Sequence, residues 1–76
     1  MAMKLFHAPR NIPTVVLDNI ASMDKIATAC RFSDYFIAHS TGIDPNQINC
    51  YRANISIPQK KNYNKLAAFF EWEVWE

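Results

Sequence analysis

Seventy-six residues, half of them apolar and 13% aromatic, make one small domain with enough apolar side chains to fold rather than stay disordered. A net charge of +1 gives no strong overall field toward polyanions, and no apolar run reaches the length of a membrane span. The single glycine excludes a glycine-rich phosphate loop.

The chain divides into an arm, residues 1–13, and a domain, residues 14–76, with no internal repeat or low-complexity stretch. Pro9 and Pro13 resist helix, so the arm is expected to be extended. It has no apolar stretch of signal-peptide length, and a cytoplasmic location is expected.

From about Thr14 to Cys30 the positions Leu17, Ile20, Met23, Ile26, Ala27 and Cys30 recur at spacings of three and four. That predicts an amphipathic first helix. Its start has two readings: at Thr14, or at a Ser22 cap with residues 12–18 extended. Cys30 and Cys50 both fall in predicted helices and read as reduced, buried small hydrophobes rather than a disulfide. Neither has metal-ligand spacing with His7 or His39, so no metal is expected.

The most informative stretch begins at Ser33, which is placed to cap a second helix over Asp34–Thr41, with Asp34 in its first turn. Ala38 is small enough for a close helix crossing. Gly42 follows four residues later, where the chain must turn through a left-handed conformation. Asp44 is placed to cap a third helix over Pro45–Arg52, with Pro45 where a missing N–H costs nothing. Ile43, Ile48 and Tyr51 point back into the crossing. Asn46, Gln47, Asn49 and Arg52 point out. This is the spacing of a helix-turn-helix, a unit that puts its second helix into the major groove of DNA.

A loop closed by Pro58 follows, carrying Lys60 and Lys61, and then a final helix over roughly Lys61–Phe70. The tail from Phe70 alternates apolar and acidic residues. Two readings stay open: a strand, paired with Lys4–Ala8 or with a twin in another subunit, and the start of a fifth helix. The expected fold is mainly α, a compact bundle of four to five helices containing the helix-turn-helix, with room for a short strand from arm or tail.

Together these residues resemble the Cro and repressor-type helix-turn-helix proteins of temperate phages. The resemblance runs over about residues 23–74 and rests on Ser33, Ala38, Gly42-Ile43, Ile48, Pro58 and Lys65-Leu66-Ala67. The segment Leu66–Val74 is also similar to the end of lambda CII-type activators, and Asp44, Gln47 and Ile48 to the start of their recognition helix. The loop before Pro58 is longer here. The resemblance implies a helical bundle that binds double-stranded operator DNA as a dimer or higher oligomer. Carried over, Pro45, Asn46, Gln47 and Asn49 match base-reading positions, and Ser33 and Asp34 match a phosphate contact. Asp34 departs from the pattern because a carboxylate repels phosphate, and Pro45 because it has no side-chain donor.

Charge distribution fits this reading, since residues 1–70 carry eight basic against four acidic residues, a net of +4. Asn and Gln can pair with adenine. Arg52 can meet a phosphate or stabilise the end of its own helix. Lys60 and Lys61 can meet phosphates or simply be solvated. Trp72, Val74 and Trp75 make either a core edge or a dimerisation patch, and dimerisation is the favoured reading. His39 reads as a surface or packing residue. With no Ser-His-Asp set or paired carboxylates, neither an enzyme nor a cofactor is expected.

The expected function is therefore a sequence-specific transcription regulator of phage type, homodimeric, blocking or recruiting RNA polymerase. The alternative is a small inhibitor of a host protein complex that keeps the scaffold without DNA affinity. The low net charge, Asp34, Pro45 and the acidic aromatic tail favour that alternative.

Overall fold

The computed structural model describes residues 12–76. The expectations for the arm, including a strand over Lys4–Ala8, lie outside the described residues apart from Ile12 and Pro13, which are neither helix nor strand. Pro13 is extended, with φ −60° and ψ 146°, and its carbonyl accepts from the amide of Val16. Helix α1, Thr14–Ala29, starts there, so the run Thr-Val-Val-Leu is helical and Ser22 lies exposed within the helix. The buried stripe is Val16, Ile20, Met23 and Ala27. It differs from the expected one at both ends: Leu17 and Cys30 are exposed. A stripe through Val16 keeps the spacing of four, three and four that one face of a helix requires.

Helices α2, Asp34–Thr41, and α3, Pro45–Arg52, follow, joined by Gly42, Ile43 and Asp44. Helix α4, Lys60–Phe70, closes the order, so four helices and no strand occur among the described residues. α3 packs on both α1 and α2, and α4 packs on α2. Among the described residues the buried core has no polar groups beyond tyrosine hydroxyls: Ile37 of α2, Ile48 of α3 and Tyr63 and Leu66 of α4 are all wholly buried beside the α1 stripe. Each buried aliphatic side chain among them contributes about 1.5–3 kcal/mol by leaving water.

The four helices each end in a left-handed residue: Arg31, Gly42, Asn54 and Glu71, with φ of 62°, 79°, 61° and 64°. After α1 and α3 the closing bonds are of Schellman type. Phe32 N–H reaches Ala27 O at 2.8 Å, and Ile55 N–H reaches Cys50 O at 2.9 Å. Only the α2 end has a glycine. The other three carry side chains in a conformation that costs an L-residue about 1 kcal/mol.

The tail beyond Glu71 is neither strand nor helix. It folds back along α4 instead. Asn64 holds the backbone of Trp75 from both sides, Nδ2 donating to Trp75 O at 2.9 Å and Oδ1 accepting from Trp75 N–H at 2.8 Å. The Tyr63 hydroxyl donates to Glu73 O at 2.8 Å and accepts from Asn19 of α1. Among the described residues no strand offers the tail a ladder, and side chains of α4 supply partners for its backbone.

Candidate nucleic-acid interface

The α2–α3 connection follows from local chemistry. Ser33 Oγ accepts from Phe36 N–H at 3.1 Å and starts α2. Gly42 takes φ 79°, and its N–H closes α2 on Ala38 O at 2.8 Å. Thr41 Oγ1 donates to Ile37 O and accepts from Ile43 N–H, bracing the turn on both sides. Asp44 Oδ1 then accepts from Asn46 N–H at 2.7 Å, and Pro45 occupies the first turn of α3. Ala38, Ile43, Ile48 and Tyr51 are buried in the crossing.

Asn46, Gln47 and Asn49 are exposed on α3 and Pro45 is half-buried. Asn46 and Asn49 are one helical turn apart on the same face. The side chains of Asn46 and Gln47 have no hydrogen-bond partner among the described residues, whereas Asn49 Nδ2 donates to Asp34 Oδ2 at 3.3 Å.

Arg52 behaves differently from a free phosphate ligand. Its side chain is only 19% exposed and its donors are taken up by partners within the protein. Nε donates to Asp24 Oδ1 at 2.9 Å, and Nη1 donates to Asp34 Oδ1 at 2.9 Å and to Phe32 O at 3.3 Å. Nη2 reaches Asp24 Oδ1 and Thr28. Burial works to lower the guanidinium pKa, but the hydrogen bonds and charges of Asp24 and Asp34 outweigh it, and the value is raised. Arg52 therefore ties α3 to α1 and to the start of α2, a role that neither of its expected uses covers.

Asp34 has both carboxylate oxygens occupied, one by Arg52 and one by Asn49. Its negative charge is thereby countered within the protein. Ser33 is exposed but engaged as a cap.

Lys60 and Lys61 are exposed in the first turn of α4, not in the preceding loop. Neither makes an ion pair among the described residues. Two cations at a helix N-terminus work against its dipole, an arrangement an incoming anion relieves. One side-chain bond links the first turn of α4 to the last turn of α3, Asn62 Nδ2 donating to the Tyr51 hydroxyl at 3.2 Å.

The face beside the turn carries Tyr35, which the expectation left out, and His39, which is exposed as its surface reading has it. Tyr35, 76% exposed, and His39 lie on α2 and line an open groove of about 660 Å³ with Gly42, Asp44 and Pro45. With Ile37 and Ala38 inward, the helical period already put residues 35 and 39 outward.

Of the aromatic end, Trp72 and Trp75 are half-buried against the core and Val74 is 57% exposed. Trp72 stacks on Phe70 and Tyr63 at centroid distances of 4.6 and 5.8 Å. Phe70 carries this stack on to Phe69 at 4.9 Å and Phe32 at 6.1 Å, and beyond them Phe36 is half-exposed. Cys30 is exposed and Cys50 half-buried, both as free thiols, so neither is the buried small hydrophobe expected. Among the described residues no group of three or more His, Cys, Asp or Glu could hold a metal ion, and no helix is long and apolar enough to cross a membrane. Comparison of the chain with protein-family models, with curated proteins and with solved structures finds no match.

Proposed function

We propose that this protein is a sequence-specific, double-strand DNA-binding transcription regulator of the phage Cro and repressor type. Helices α2 and α3 form its helix-turn-helix, and α3 enters the major groove. The observation that carries the reading is the joint one at the turn. Ala38, Gly42, Ile43, Ile48 and Tyr51 hold the inward and turning roles that such a unit needs, while Asn46, Gln47 and Asn49 lie exposed on α3. The countered charge of Asp34 supports it by removing a repulsion from the phosphate side. Lys60 and Lys61, exposed in the first turn of α4, are the backbone contacts. Arg52 moves in this reading from DNA ligand to brace.

A homodimer belongs to the same reading, because paired half-sites raise affinity for DNA. The half-exposed Phe36 and exposed Val74 offer apolar surface for it. The exposed Tyr35 and Phe36 equally favour a second reading, in which the protein inhibits a host complex by docking through aromatic side chains.

Fluorescence anisotropy with a pool of random duplex DNA tests the choice. Binding at low salt that weakens in Lys60→Ala/Lys61→Ala supports the regulator. No binding at low salt overturns it in favour of a protein partner.

A further inference from the structure

The geometry points to Asn49 as an adenine-reading residue, with Asp34 and Arg52 as the positioning residues that fix which way its amide faces. This inference rests on the DNA-binding reading above. A carboxylate only accepts hydrogen bonds, so the edge of Asn49 turned toward Asp34 Oδ2 is its NH2 group. The orientation of the amide, usually free to flip, is thereby decided by chemistry.

Nδ2 carries two hydrogens, and Asp34 needs one. The other, like Oδ1, has no partner among the described residues, and Asn49 as a whole is exposed. A side-by-side N–H donor and carbonyl acceptor match N7 and the N6 amino group of adenine in the major groove. Guanine presents two acceptors at the same edge, O6 and N7, and leaves Oδ1 facing an acceptor.

The support beneath Asn49 is itself held. Asp34 has a side chain only 25% exposed, and Arg52 binds its other oxygen at 2.9 Å. Arg52 in turn is tied to Asp24 of α1 and to Phe32 O. Asn46 and Gln47 have no comparable brace among the described residues. Asn49 is thus the amide of α3 that meets a base with its orientation already set, and pre-organisation of this kind sharpens discrimination between bases.

The test is selection from a random duplex pool with wild type, Asn49→Ala and Asp34→Asn. The selected duplex is then titrated with 7-deazaadenine, which lacks N7, at each enriched adenine. Wild type is expected to lose roughly tenfold in affinity at one adenine per half-site, and Asn49→Ala to lose nothing further there. Asp34→Asn, folded by thermal denaturation, is expected to show a weakened preference for adenine over guanine at that position, because an amide partner no longer dictates the flip. If wild type binds and selects but Asn49→Ala selects the same adenines with the same analogue penalty, the assignment is wrong and the regulator reading stands. If wild type binds no duplex at low salt, the regulator reading fails and this assignment fails with it.

Discussion

The Asp34 carboxylate accepts a 2.9 Å hydrogen bond from Arg52, across 18 residues of sequence and between the first turn of α2 and the last turn of α3. The pair is partly buried, at 25% and 19% side-chain exposure, so its removal is felt. Arg52→Ala is expected to destabilise the fold by about 2 kcal/mol, because it strands Asp34 and the Phe32 carbonyl. In double-mutant cycles read by chemical denaturation, the Asp34–Arg52 coupling should exceed that of Asp24–Arg52. Asp24 is 59% exposed, and an exposed pair is worth below about 1 kcal/mol. Equal couplings would contradict the brace.

The same pair fixes a pH expectation. The folded value of Arg52 is raised, so its stabilisation is complete below the ordinary guanidinium range and is lost only as pH rises through the still higher folded value. Across the neutral and mildly alkaline range, deprotonation of Arg52 adds no slope to stability. Denaturation midpoints of wild type and Arg52→Ala should therefore run parallel in that range.

Three helix ends place a side chain at positive φ, and glycine there should be stabilising. Glu71→Gly is the strongest case. It relieves the strain at φ 64° and removes an acid from the carbonyl end of α4. A gain of about 0.5–1 kcal/mol is expected from thermal melts. Gly42→Ala should cost about 1 kcal/mol through backbone strain alone, since an added Cβ meets nothing within 4 Å.

The tail is tied down by few bonds, so single changes should release it. Asn64→Ala removes both bonds to the Trp75 backbone. Tyr63→Phe removes the bond to Glu73 O. Each should cost about 1–2 kcal/mol and shift tryptophan emission to the red as Trp72 and Trp75 meet water. Unchanged emission in both variants would mean that the tail is held by ring packing alone.

The turn was legible because each of its signals is local. Ser33 and Asp44 act on amides within three residues of themselves, Pro45 sits where a missing N–H costs nothing, and Gly42 is the one residue suited to a left-handed turn without strain. The Arg52 brace was not legible, because its partners lie 18 to 28 residues away and only the packed helices bring them together. The middle of the α1 stripe was legible, but its start was not, because Val16 and Leu17 are both apolar and adjacent. Arg31, Asn54 and Glu71 gave no signal of helix ends beyond the general tolerance of Asn for φ > 0. The tail misled because alternation alone does not make a strand, and its backbone is held instead by Tyr63 and Asn64. Cys30 falls on the exposed side of the cap that ends α1.

That last placement is open to direct chemistry. Cys30 should react with a thiol reagent such as dithiobis(nitrobenzoic acid) on the timescale of an exposed cysteine, and half-buried Cys50 more slowly. Cys30→Ser and Cys50→Ser identify the two phases. Equal rates would contradict the burial assigned to Cys50.

The proposed duplex binding by α3 together with the Lys60-Lys61 turn has a quantitative signature in its salt dependence. Anisotropy titrations of a random duplex pool across a series of salt concentrations give the slope of log affinity against log salt. A steep negative slope is predicted for wild type, shallower by roughly two in Lys60→Ala/Lys61→Ala, about one for each phosphate that a lysine no longer neutralises. Absence of binding at low salt, or binding whose slope is the same with and without the two lysines, would contradict the proposal.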